Sequence, residues 1–308
     1  MSINRRNFLR NSAAAAGSLL LADRLGAIGL WGKAERPVGV QLFTFFNVID
    51  DDTTGTLKKI AAIGYRELES AFSRKGGYYG MKPKEFASLV NSLGLSWKSH
   101  HVLGAPFKLP PGAKMPTTPD GKPMTIPPMR NLRENMQELV DEAAAGGVSY
   151  LVCANTPIST LDEIKSSIDV LNKTGEACRK AGIGFAYHNH YMEFHEVEGQ
   201  LPYHLMLQQA SPELVKMELD LAWATKAGVD PVQLFNEHPG RFPLWHVKDI
   251  DKELKSPEPV GDGIIDFKRI FASADKAGMQ HFFVEHDMPK DPFASITTSF
   301  NNLHKMLG

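Results

Sequence analysis

Cysteine is scarce in this chain: 308 residues hold two, Cys153 and Cys178. Two thiols cannot form a disulfide framework at this size, so stability has to come from a packed core. One bond between them stays open, and two unpaired buried thiols is the plainer expectation. An excess of one charge is also missing, since 34 basic and 35 acidic residues leave a net charge of −1. Polyanion binders usually carry a basic excess, so the totals speak against nucleic acid as a partner. No apolar run reaches the roughly 20 residues of a membrane span. The first strand-like run is not followed by G-x-G-x-x-G, the usual sign of an open dinucleotide-binding sheet. Hydrophobic residues at 43% and charged residues at 22% are ordinary for a globular protein.

The N-terminus differs from the rest. N-R-R-N-F-L-R at 4–10 precedes the weakly apolar run 12–21. A twin arginine followed by a segment too short to span resembles a twin-arginine export signal. Residues 1–35 are therefore expected to be that signal, with a periplasmic destination. Ala27 and Ala34 are both candidate cleavage points, and no cysteine follows for a lipid anchor.

From 36 to 308 strand-like and helix-like patterns alternate. The strands are expected at 38–43, 65–69, 95–101, 148–153, 183–188, 214–220, 242–248 and 280–286. The helices are expected at 54–63, 82–93, 131–146, 162–181, 201–209, 231–236, 266–278 and 296–307. Eight alternations without a linker argue for an α/β fold, a single (β/α)8 TIM barrel. Residues 104–130, rich in Pro, Gly, Lys and Met, break the rhythm. An aperiodic stretch this long is expected to be a lid over the site or a surface excursion.

The chemistry is expected at strand ends, where active sites of such barrels lie. Strand 183–188 has Ile183, Phe185 and Tyr187 on one face and ends in His188, with His190 and Glu193 just beyond. The sixth strand places Lys216, Glu218 and Asp220 on the barrel side. The seventh brings His246 and Lys248, and the eighth Glu285 and Asp287. On the third, Trp97, Ser99 and His101 are expected to share a side. His188, Asp220, His246 and Glu285 together offer two nitrogens and two carboxylates. That set suits one divalent ion such as Mn2+, Zn2+, Co2+ or Fe2+ better than Ca2+. An ion-pair network of Asp220 and Glu285 with Lys216 and Lys248 is the alternative.

Several motifs carry a family likeness: G-Y-R-E-L-E, S-H-H-V, Y-H-N-H-Y-M-E-F, E-L-D-L-A-W-A-T-K-A-G-V-D-P, W-H-V-K-D-I-D, G-D-G-I-I-D-F and F-V-E-H-D. In order and spacing, from Val38 onward, the chain resembles the sugar phosphate isomerase/epimerase family of xylose isomerase-like barrels. The resemblance implies metal ligands at His188, Asp220, His246 and Glu285, and a reaction through an enediolate on a small carbohydrate. It implies Glu285 as the base, with His188, His190 or Glu193 as partner acid, and Lys248 and His101 holding substrate oxygens. One departure stands out, because the better-known epimerases have a glutamate where this chain has His188. That change admits a lyase or hydrolase of keto-type glycosides, or a sugar-binding barrel without catalysis. Trp223 replaces a histidine of many relatives, so the extra metals of the family's DNA-repair branch are not expected. Association into a homo-oligomer stays open.

Overall fold

Eight short parallel strands form the frame of the computed structural model, which describes residues 36–107 and 129–307. They are β1 (Gly39–Gln41), β2 (Glu67–Ser70), β3 (Ser96–Leu103), β4 (Tyr150–Asn155), β5 (Gly184–His188), β6 (Lys216–Asp220), β7 (Leu244–Val247) and β8 (His281–Val284). Each pairs with its sequence neighbours, and β8 pairs with β1, so the sheet closes into a barrel. The expected export signal and most of the expected lid, 108–128, lie outside the described residues. No described helix is long and apolar enough to cross a membrane.

The helices follow from their caps and apolar stripes. Asp52 accepts from the Gly55 amide at the head of α1 (Thr53–Ile63), and Pro83 opens α2 (Pro83–Ser92). Asn131 caps α3 (Leu132–Gly146), and Thr160 caps α4 (Leu161–Ala181), which Gly182 ends at a left-handed φ of 79°. Next come α5 (Pro202–Gln209), α6 (Leu221–Lys226) and α7 (Pro231–Glu237). The span 266–278, expected as one helix, is two: α8 (Phe267–Phe271) and α9 (Ala274–Ala277). A tight turn through Ser273 redirects the chain, burying Ala274 and Ala277 as well as Phe267 and Ile270. The last helix, α10, is Pro292–Leu307.

The apolar core lies between barrel and helices. Inside the barrel Val152, Ala186, Leu244 and Phe283 form a small apolar cluster. Room for it comes from Gly39, where a Cβ would lie 2.6 Å from a Phe283 ring carbon. Above this plug the interior is polar, which is where the fold places its chemistry.

One expected face is corrected. The β2–β3 register slips so that Leu68 pairs with Trp97 and Glu69 with Ser99, leaving Lys98 as an extra residue. That bulge puts Trp97 among the helices, against Phe86, while Ser99 and His101 reach inward to Glu69. Strict alternation had placed all three on one side.

Candidate active site

At the strand tops two polar networks meet at one imidazole, His246. On its Nε2 side sits Glu69, which accepts from Gln41 Nε2 at 2.6 Å and Ser99 Oγ at 2.5 Å. His246 Nε2 lies 2.6 Å from Glu69 Oε1, and His101 Nε2 lies 3.0 Å from the same oxygen. His101 also donates to Glu218 Oε2 at 2.6 Å, and His188 Nδ1 is 3.2 Å from that oxygen without hydrogen-bond alignment.

On the Nδ1 side His246 donates to Glu285 Oε2 at 2.8 Å. Here the centre is Lys248, 1% exposed, whose ammonium lies 2.7 Å from Glu285, 3.0 Å from Asp220 and 3.0 Å from Asp287. Asp220 has two tasks. Its Oδ1 accepts from the Trp223 amide as the cap of α6, while Oδ2 faces Lys248 without hydrogen-bond alignment. The Trp223 ring lies under the ammonium, 5.0 Å away.

Burial and charge set the protonation states. Burial alone would lower His101, but Glu69 and Glu218 push it up to about 9. Burial would likewise lower His246, which Glu218, Glu285 and Glu69 hold well above its ordinary value. Burial works against the Glu285 carboxylate, yet Lys248 and His246 hold it well below the usual range. Burial pushes Asp220 up to about 6 despite Lys248 and His246. Asp220 and Glu285 share one ammonium, and Glu285 has the shorter contact. Without such partners burial prevails, holding His188 low and taking His190 down to about 4.

A cavity opens over these networks. Its polar wall includes His101, His188, His190, Lys248, Glu285 and Asp287, and its apolar wall includes Phe43, Phe72 and Leu103. Five expected site residues, Glu285, Lys248, His101, His188 and His190, therefore share one space. Asp220 and His246 lie beneath it, 0% exposed. Glu193 is placed elsewhere: it accepts from Tyr187 Oη at 2.8 Å and from the His190 amide at 3.0 Å, and it props the loop after β5. Its carboxyl, raised chiefly by burial, does not line the cavity. Of the alternative ion-pair network, Lys248 is present, whereas Lys216 sits lower on β6, opposite Ala186.

Sequence reasoning passed over Glu69, Gln41, Ser99, Glu218 and His100 as site residues. Inward parity marked Glu218, but not its partners. His100 also lines the cavity. Its Nδ1 is 2.8 Å from Ser70 Oγ, which itself accepts from Trp97 Nε1 at 2.8 Å. The hydroxyl has a proton to give and lone pairs to accept with, so this contact suits either neutral tautomer of His100. Burial takes this imidazole down to about 3 and keeps it neutral.

The comparisons bear on this geometry. Residues 57–304 match the family described as the xylose isomerase-like TIM barrel. The chain belongs to that family. A sugar phosphate isomerase/epimerase from Parabacteroides distasonis has a similar structure, with a TM-score of 0.70 and 28% identity over 89% of this chain and 95% of that one. Inosose dehydratase from Geobacillus thermodenitrificans is 26% identical over 145 residues, 42% of this chain and 48% of that protein. Inosose dehydratase from Lacticaseibacillus casei is 24% identical over 158 residues, 44% of this chain and 52% of the relative. The chain thus spans about half the length of the curated relatives it matches. A xylose isomerase-like barrel with a polar cavity at its strand tops is an enzyme scaffold.

Of the four ligands implied by the resemblance, three converge and His188 groups with other donors. Asp220, His246 and Glu285 form one group of donors, while His188 belongs to another with His101, Glu218 and His246. Lys248 already holds the first group's carboxylates.

Proposed function

We propose that this barrel removes the proton beside the carbonyl of a small carbohydrate and stabilises the resulting enediolate, as an isomerase or epimerase. The observation that carries the reading is the buried Lys248 ammonium, 2.7 Å from Glu285 at the cavity wall. Glu285 is the base. Paired to Lys248 it is ionised but weakly basic. When Lys248 turns toward a developing oxyanion that pairing loosens, and the basicity of Glu285 rises as the proton leaves carbon. His101, charged at neutral pH, is the group available to hand a proton back, and the neutral imidazoles His188 and His190 are placed to hold substrate hydroxyls. The isomerase/epimerase neighbour from Parabacteroides distasonis supports the class. The divalent ion implied by the resemblance belongs to the same reading.

A second reading is favoured by one observation. Both wall carboxylates, Glu285 and Asp287, follow β8, whereas the β5 side offers imidazoles rather than an opposed carboxylate. One base, with the protonated His101 as the acid, suits loss of a β-substituent from the same enediolate, as a lyase or hydrolase of keto-type glycosides. The dehydratase relatives support elimination as well.

Incubation with keto-sugars and keto-glycosides in D2O tests both readings. Deuterium beside the carbonyl is expected in either case. A rearranged sugar marks the isomerase, and an unsaturated or deglycosylated product marks the lyase. No exchange with any substrate would overturn both in favour of a non-catalytic sugar-binding barrel. Export by the twin-arginine route to the periplasm is part of the proposal and fits an unphosphorylated substrate. Replacing Arg5 and Arg6 by lysine is expected to retain the protein in the cytoplasm on fractionation.

A further inference from the structure

The cavity over the strand tops has two ends of unlike chemistry. One end holds the acids, imidazoles and ammonium already described, and the other is furnished by the first four strands and their loops. There Phe43, Phe46 and Phe72, all half-buried, stand 5.3 to 5.8 Å apart between ring centres. Phe43 and Phe72 line the cavity. The Phe72 loop is held in place, because the buried Asp50 carboxylate accepts from Ser73 Oγ and from the Arg74 amide. Beyond it Gly76 and Gly77, both at left-handed φ, line the cavity without side chains.

The cavity extends further than the acid–base groups need. His100 and His101 are neighbours on β3 and point to opposite faces of it, yet both line the cavity. His101 faces Glu69 and Glu218 inside the barrel, whereas the His100 ring packs 4.7 Å from that of Tyr78. β2 stops at Ser70, level with His100, and the cavity passes over that strand end to Arg130 and Leu139. In the closed order of strands β3 lies opposite β7, so this end stands across the barrel mouth from Lys248.

Charge separates the occupants this end could take. Among the described residues, every cation lining the cavity is already matched by acids. Lys248 has three carboxylates, His101 has Glu69 and Glu218, and Arg130 has Glu138 and Glu142 at 2.8 and 2.6 Å. Arg74 at the rim lies against Asp50 and Asp51. A phosphate or carboxylate entering here would lose its water without an unmatched cation to receive it. An uncharged ring meets no such penalty. One face of a sugar ring presents C–H groups, which suit Phe43 and Phe72, and its hydroxyls suit Asn155 and the neutral His100.

We propose that Phe43, Phe72, His100 and Asn155 form a second subsite, which holds an uncharged ring joined to the ring that bears the carbonyl. The substrate is then a neutral glycoside, not a free monosaccharide or a sugar phosphate. Which ring reacts is taken from the enolisation reading, but the subsite rests on the cavity walls alone.

The test uses the full chain and unreactive ligands, with affinity read by calorimetry. Glucose, galactose and xylose are each compared with their phosphate esters, their disaccharides and their 4-nitrophenyl glycosides. A two-ring ligand is expected to bind about tenfold or more tighter than its parent monosaccharide, and the phosphate esters more weakly than either. Tightest binding by a disaccharide marks the second ring as a sugar, and tightest binding by a nitrophenyl glycoside marks it as an aromatic aglycone. Phe43→Ala and Phe72→Ala are each expected to reduce the two-ring preference about fivefold or more. No preference for any two-ring ligand, tighter binding of a phosphate ester, or full preference in both variants would overturn the subsite. Since a variant can fail to fold, the wild-type comparison decides independently of any substitution. Deuterium exchange separates this proposal from the one it rests on. Keto-monosaccharides exchanging as fast as their glycosides sink the subsite alone, and a two-ring preference without exchange in any keto compound sinks the enolisation reading alone.

Discussion

Lys248 is the residue on which the site's electrostatics depend. A lysine 1% exposed is tolerable only because three carboxylates hold its charge, and they in turn rely on it. Lys248→Met is expected to cut turnover by about 10²-fold or more, as removal of a preorganised oxyanion partner does. It should also destabilise the fold by about 3 kcal/mol, because acids would be left buried without their cation. Steady-state kinetics and urea unfolding check the two effects separately. Glu285→Gln keeps the shape and removes the base, so turnover should fall by about 10²–10⁴-fold with the fold intact. A variant with near-normal activity would discard Glu285 from that role. The two thiols give a pH prediction. Burial pushes Cys153 and Cys178 up to about 12, so both are neutral in the native state at pH 8. A raised folded pKa stabilises fully below the unfolded value of about 8.5, and that contribution is lost as pH climbs toward 12. Native protein should resist iodoacetamide at pH 8 and take up two labels in urea; rapid native labelling would refute the burial argument.

At the scale of elements, the segment after β7 is held by one side chain. Asp249, 0% exposed, accepts from the amides of Ile250, Gly261, Gly263 and Ile265. It closes the loop that contains the small antiparallel ribbon Asp249–Ile250 and Pro257–Glu258. At Gly263 a Cβ would lie 2.3 Å from Asp249 Oδ1, so the amide reaches the carboxylate only because the side chain is absent. Asp249→Ala leaves those amides without their acceptor and should cost about 3 kcal/mol or more. A denaturation midpoint within error of wild type would show that the loop does not depend on this hub. The β3 bulge makes the complementary point. Alternation along 95–101 is legible, yet the inserted Lys98 is a matter of pairing with β2, and nothing local to β3 announces it.

At the scale of the whole molecule, the (β/α)8 barrel was legible because eight apolar strand patterns, separated by capped helices, admit few other closed arrangements. The sequence by itself also determined that His101, His188, His190, Lys248 and Glu285 would gather, since residues at the tops of barrel strands have nowhere else to point. It carried the twin arginine and the aperiodic 104–130 segment as expectations. The tertiary structure decided who partners whom. Glu69 enters the site from β2, and Glu193 turns away to brace the β5 loop. Lys248, rather than His188, meets Asp220 and Glu285, and His246 presents a different nitrogen to each network. Strand parity fixes the face on which a side chain lies. Barrel closure and the register between non-adjacent strands fix the distance between two charges, and at 3 Å in a buried interior that distance decides the chemistry.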